Sequence, residues 1–92
     1  KQVRILINKT MREIIIEFIK EILKDNDSFD QDVFTDLKDN ANLRDDLGLT
    51  SFDLAALTVM IEDEYDVDVF ENQLVFTLGE IIQVVNFGEI VI

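Results

Sequence analysis

Apolar residues recur every three or four positions near the beginning of this chain, which is the period of a helix that buries one face. The residues that follow this period are Met11, Ile14, Ile15, Phe18, Ile22 and Leu23. Thr10 and Glu13 precede them with the spacing of a capping box, in which each side chain accepts a hydrogen bond from the other residue's backbone amide. The pattern predicts a helix from about residue 10 to 24, ended by the turn-forming residues 25–28.

Similar patterns predict two more long helices and one short helical turn. A second helix is expected over about 50–65, a short turn over 71–75, and a last helix over about 78–88. The residues that the second helix is expected to bury include Phe52, Leu54, Ala55, Leu57, Thr58 and Ile61. A chain of 92 residues has room for one hydrophobic core, so residues 1–92 are interpreted as a single all-α domain with three main helices and one short helix.

Residues 25–50 form a long connection between the first two long helices. The residues expected to anchor it in the core are Val33, Phe34, Leu37, Leu43 and Leu47. A connection of this length usually contains a short helix or has a function of its own, and residues 32–38 could supply a helical turn. Residues 1–9 alternate in hydropathy like a strand, yet they could also be an N-terminal extension or an upstream part of the first helix.

Acidic residues outnumber basic residues by 20 to 8, and the bases all lie at or before Arg44. From Asp45 onward there are eleven acidic residues and no Lys or Arg. This charge disfavours nucleic acid and anionic membranes, and it favours a basic protein surface as the partner. No apolar run is long enough for a membrane span. Cysteine is absent, which excludes disulfides and thiol catalysis and is compatible with the cytosol. We expect the protein to be a cytoplasmic monomer.

The common catalytic and metal-binding motifs fail for lack of the residues that they need. The chain has no His and no Cys, so neither a Ser-His-Asp triad nor a Cys-His pair can form. Its three glycines do not form a P-loop or a dinucleotide motif. A calcium loop beginning at Asp25 fails because Phe29 stands at a ligand position and Asp30 replaces the required Gly. We therefore expect no catalytic residue, no metal site and no enzymatic activity.

Residues 43–54 place the hydroxyl of Ser51 at the start of a helix, after a glycine-containing turn. In the ordinary interpretation, Thr50 or Ser51 simply caps this helix, as Ser and Thr commonly do. In the functional interpretation, a phosphodiester on Ser51 would lie at the positive end of the helix dipole, near unpaired backbone amides. Local chemistry alone leaves both interpretations open.

The same stretch closely resembles the attachment motif of acyl carrier proteins, which reads apolar-x-acidic-Asp-Leu-Gly-x-Asp-Ser-Leu-Asp. The matching residues are Leu43, Asp45, Asp46, Leu47, Gly48, Ser51 and Asp53, with Phe52 in place of a Leu. Residues 62–69 are similar to the acidic end of the family's second helix and to the segment that follows it. The resemblance extends over most of residues 10–88.

The resemblance implies a four-helix bundle of acyl-carrier type, in which Ser51 receives a 4'-phosphopantetheine arm from coenzyme A. A phosphopantetheinyl transferase would attach the arm, and the arm's thiol would hold acyl groups as thioesters. The chain would deliver these groups to fatty-acid, polyketide or related biosynthetic enzymes that have basic docking surfaces. The residues expected to dock on these enzymes are Asp53, Val59, Glu62 and Asp63.

Three features depart from the family pattern. Thr50 stands where the family usually has Asp, Ala56 occupies a position that is commonly acidic, and the connection before Ser51 is longer than usual. The first difference argues against modification by a generic transferase, the second favours a specialised set of partners, and the third argues against an ordinary fatty-acid carrier. Within the carrier class, a D-alanyl or peptidyl carrier stays open. The alternative from another class is an unmodified acidic interaction module that binds a basic partner protein or divalent cations.

Overall fold

A computed structural model describes residues 10–69 and 77–90, with side chains described as far as Asn86. Over these ranges the chain forms four helices and no strand, which confirms the all-α prediction. The helices are α1 (Met11–Asp25), α2 (Gln31–Thr35), α3 (Ser51–Tyr65) and α4 (Leu78–Ile90). The short turn predicted over 71–75 and the ambiguous segment 1–9 lie outside the described residues.

The first helix begins and ends where the sequence predicts, to within one residue. The Thr10 hydroxyl accepts a hydrogen bond from the Glu13 amide at 3.2 Å, and the Glu13 carboxylate accepts one from the Thr10 amide at 2.9 Å. At the other end, the Asn26 amide donates to the Ile22 carbonyl, and Asp27 then adopts a left-handed conformation with φ 57°. The residues that α1 buries are Ile14, Ile15, Phe18, Ile19, Ile22 and Leu23.

The third helix buries part of the predicted face, including Leu57 and Ile61, together with one residue that was not predicted to be buried. It buries Asp53, Leu57 and Ile61, which follow each other at intervals of four. Phe52 is 82 % exposed, and Ala55 is also exposed, so the prediction that both residues face the core is wrong. Successive residues of a helix are rotated by about 100°, so burial of Asp53 turns Phe52 away from α1.

The connection between α1 and α3 is part of the core. Leu43, Leu47 and Leu49 are fully or almost fully buried, and the other predicted anchors are partly buried against the core, which confirms the predicted anchoring. The predicted helical turn of the connection is present as α2.

Backbone carbonyls of the connection also cap the last helix. The Leu78 amide donates to the Ala41 carbonyl at 3.1 Å, and the Gly79 amide donates to the Asp39 carbonyl at 2.8 Å. A Cβ on Gly79 would lie only 3.1 Å from the Cβ and carbonyl oxygen of Asp39, so a larger residue would need Asp39 to shift by a few tenths of an ångström. The connection therefore joins α4 to the rest of the core. No described helix has both the length and the apolar character needed to cross a membrane.

Removal of a core anchor from the connection should destabilise the whole fold. We expect Leu43→Ala to lower the free energy of unfolding by about 2–4 kcal/mol, because it removes a side chain with no exposed surface and leaves a cavity. Val59→Ala, at a position 64 % exposed, is the control and should change stability by less than about 0.5 kcal/mol. Urea unfolding measures both. Equal effects would show that the connection does not belong to the core.

Candidate functional site

Ser51 is the first residue of α3, and its side chain is exposed. The preceding turn is organised by Asn42, whose side-chain oxygen accepts hydrogen bonds from the amides of Arg44 at 2.9 Å and Asp45 at 2.8 Å. The Asn42 amide donates to the Asp46 carboxylate at 2.7 Å. One side chain and one backbone amide thus fix the conformation of the acidic part of the motif. Sequence reasoning missed Asn42, although an Asn followed by such a turn is a known signal for side-chain bonding to the backbone.

Gly48 reverses the chain between this turn and α3. Its φ is +81°, a left-handed conformation that glycine adopts without steric cost. The Gly48 amide donates to the Arg44 carbonyl, and the Leu49 amide donates to the Leu43 carbonyl, both at 3.0 Å. Leu49 then inserts into the core with 2 % exposure. The reversal therefore anchors the chain two residues before Ser51.

A second capping box begins α3. The Thr50 hydroxyl accepts a hydrogen bond from the Asp53 amide at 3.1 Å, and the Asp53 carboxylate accepts one from the Thr50 amide at 3.0 Å. The ordinary interpretation of Thr50 as the helix cap is therefore correct, and Ser51 is left outside the capping hydrogen bonds.

The structure corrects the interpretation of Asp53 as an exposed docking charge. Asp53 is only 5 % exposed, and its second carboxylate oxygen accepts a hydrogen bond from the Asn26 side chain at 2.6 Å. A carboxylate enclosed by amide donors is not available to a partner's basic side chain. Its role is to hold the start of α3 in place.

The other predicted docking residues lie together on the solvent side of α3. Val59 is 64 % exposed, and Glu62 and Asp63 are exposed three and four residues further along the helix. Phe52, which the sequence analysis placed in the core, lies on the same side because positions seven apart share a face. We call Phe52, Val59, Glu62 and Asp63 the outer stripe of α3. Ser51 lies at its N-terminal end.

The start of α3 is suited to hold a phosphodiester on Ser51. The first amides of a helix have no acceptor within the helix, and the helix dipole places partial positive charge at this end. Ser51 is exposed, so an attached group would extend into solvent without displacing the core. Within residues 10–69 and 77–90, no three acidic side chains are grouped to hold a metal ion.

The chain matches a known protein-family model. The family model described as "Phosphopantetheine attachment site" matches residues 12–86, which is more than half of the chain. The matched range includes α1 except its first residue, the connection, all of α3 and the first part of α4. No solved structure matches the chain.

A side chain at Gly48 should weaken the turn before Ser51. We expect Gly48→Ala to lower the free energy of unfolding by about 1 kcal/mol, because φ is positive there and an L residue with a Cβ is strained. A Cβ would meet no atom within 4 Å, so the effect should come from backbone strain alone. Gly48→Asn is the matched variant and should cost less, since Asn tolerates this conformation better. Chemical denaturation that ranks Asn below Ala would contradict this explanation.

Proposed function

The chain belongs to the phosphopantetheine attachment family, and on that premise we propose that Ser51 is the residue that carries the arm. The family bears a covalently attached 4'-phosphopantetheine, so the chain is a carrier domain for this group. The observation that carries the assignment to Ser51 is its position. Its exposed hydroxyl opens a 15-residue helix, directly after the turn that holds the matched motif.

The only other serine of the chain is less suited to the role. Ser28 lies in the turn after α1, where its hydroxyl donates to the Asn26 carbonyl and its amide donates to the Leu23 carbonyl. That amide is therefore already used, and Ser28 does not lie in the first turn of a helix. The backbone amides at the start of α3 favour Ser51 as the site of a phosphodiester.

We propose that the arm holds acyl groups as thioesters for fatty-acid, polyketide or related biosynthetic enzymes. A carrier of this kind does no bond chemistry itself, because the arm brings the reactive thiol to a chain that has no Cys. Its contribution is to hold the acyl group at high effective concentration near successive enzymes. A cytoplasmic location, with access to coenzyme A and its transferases, is part of this proposal.

The outer stripe of α3 is the surface that we propose for docking on these enzymes. Two apolar side chains, Phe52 and Val59, are followed along the helix by the carboxylates of Glu62 and Asp63. Apolar contacts would determine the bound geometry, and the negative charge would attract a basic surface from a distance. Because Ser51 lies at the end of the same stripe, docking there would direct the arm towards the partner.

Removal of the Ser51 hydroxyl should abolish attachment of the arm. With coenzyme A and a broad-specificity phosphopantetheinyl transferase, we expect the wild-type chain to gain one phosphopantetheine group and Ser51→Ala to gain none. Ser28→Ala is the matched control and should be modified like the wild type. Intact-mass spectrometry measures all three. A wild-type chain that gains no mass with several transferases would contradict the carrier function, and loss of modification in the Ser28 variant alone would contradict the site.

Charge reversal on the outer stripe should slow transfer to partner enzymes. We expect Glu62→Lys with Asp63→Lys to reduce the rate of acyl transfer roughly tenfold or more at low salt, because it replaces attraction to a basic surface by repulsion. The wild-type rate should fall as salt rises, and the rate of the variant should not. Reversal of two exposed α1 acids, Glu21→Lys with Asp25→Lys, gives the same net charge and should have a smaller effect. Equal effects of the two reversals would show that only net charge matters.

A further inference from the structure

A hydrogen bond between residues far apart in sequence connects the end of α1 to the start of α3. The Asn26 side-chain amide donates to one oxygen of the Asp53 carboxylate at 2.6 Å, across 27 positions of the chain. Asn26 ends α1 through its backbone, whose amide donates to the Ile22 carbonyl. Its side chain is thus not needed for that cap and is available for a different role.

The contact continues to the residue before Ser51. One Asp53 oxygen accepts from Asn26 and the other accepts from the Thr50 amide at 3.0 Å, while the Asp53 amide donates to the Thr50 hydroxyl. Rotation of the Asp53 carboxylate would break the bonds on both sides together. The orientation of Thr50, and with it the first turn of α3, therefore depends on the donor to the other Asp53 oxygen, which is the Asn26 side chain.

Burial makes that dependence strong. Asp53 is 5 % exposed, and an ionised group in such a position must be hydrogen-bonded or leave it for solvent. Without the Asn26 donor, one Asp53 oxygen would lack a hydrogen bond in a buried position. Rotation of the carboxylate towards solvent would restore its hydration and would break the capping box with Thr50. The first turn of α3, which includes Ser51, would then fray while the core residues Leu57 and Ile61 stay packed.

We propose that Asn26 is a positioning residue for Ser51, acting through Asp53 and Thr50. The proposal rests on the proposed function only in that Ser51 is taken as the residue that receives the arm. Asn26 contacts neither the arm nor the transferase in this role. Its role is to fix the start of α3, where the Ser51 hydroxyl lies.

A swap of the two hydrogen-bonding groups tests the proposal. Asn26→Asp places two carboxylates against each other and should slow modification of Ser51 about tenfold, the rate equivalent of losing one charge-assisted hydrogen bond. Asp53→Asn should slow it less, because an Asn at 53 can still accept from the Thr50 amide and can donate to the Asn26 side-chain oxygen once the Asn26 amide has turned over. In the double variant, an Asn at 53 can donate to an Asp at 26 and accept from Thr50, so the rate should return to within about twofold of the wild type.

The control is Asn40→Asp, which adds the same charge at an exposed position of the connection and should be modified at the wild-type rate. Rates are compared per folded molecule, with the folded fraction taken from circular dichroism. The proposal is overturned if Asn26→Asp is modified at the wild-type rate, or if the double variant is no faster than the slower single variant.

Hydrogen exchange in the unmodified protein gives a second readout that needs no transferase. Asn26→Asp should speed exchange of the Thr50 amide about tenfold relative to the Leu57 amide, and the double variant should restore it. Unchanged exchange at Thr50 would overturn the proposal. If the wild-type chain is never modified, the function assigned to Ser51 fails, and this measurement still decides whether Asn26 holds the turn.

Discussion

A buried carboxylate at the edge of a small core needs hydrogen-bond donors. The two donors to Asp53 determine the position of the start of α3, and therefore of the Ser51 hydroxyl. One donor is the Thr50 amide, three residues earlier, and the other is the side chain of Asn26 at the end of α1. A local contact and a distant contact therefore converge on one side chain. The local contact forms the helix start, and the distant one fixes that start against α1. The hydroxyl of Ser51 stays outside both contacts and remains exposed.

The basic side chains of α1 and the acidic side chains of α3 lie in different parts of the structure. The three bases of α1 are directed to the connection. Arg12 donates to the Asp39 carboxylate and the Leu37 carbonyl, both at 2.9 Å, while Lys20 and Lys24 lie about 5 Å above aromatic rings. No base is present on α3, whose acids at 62–64 follow one another near its end. Positive charge thus helps to hold the connection, while α3 contributes only negative charge to the surface of the molecule.

Sequence reasoning succeeded where a local pattern determines the structure and failed where packing decides. The apolar period and the capping box of α1 fix its bounds, and buried leucines such as Leu43 are recognisable in the connection. Apolar residues occur all around α3, so its sequence does not indicate which side faces α1. This ambiguity explains why the sequence predicts Phe52 to be buried and Asp53 to be exposed, whereas the structure shows the reverse. The role of Asn26 could not be read from sequence either, because its partner is 27 positions away.

Thr50 shows how a departure from the family pattern can keep the geometry and change the electrostatics. Its hydroxyl caps α3 as a carboxylate would, so the helix start is preserved without a charge at this position. Asp53 is then the only acid in the first turn of α3, and its carboxylate is enclosed. A phosphodiester on the neighbouring Ser51 would meet less negative charge than in a chain with an acidic cap, so the helix dipole would stabilise it more effectively. A transferase that approaches Ser51 would meet a hydroxyl and a methyl group beside it.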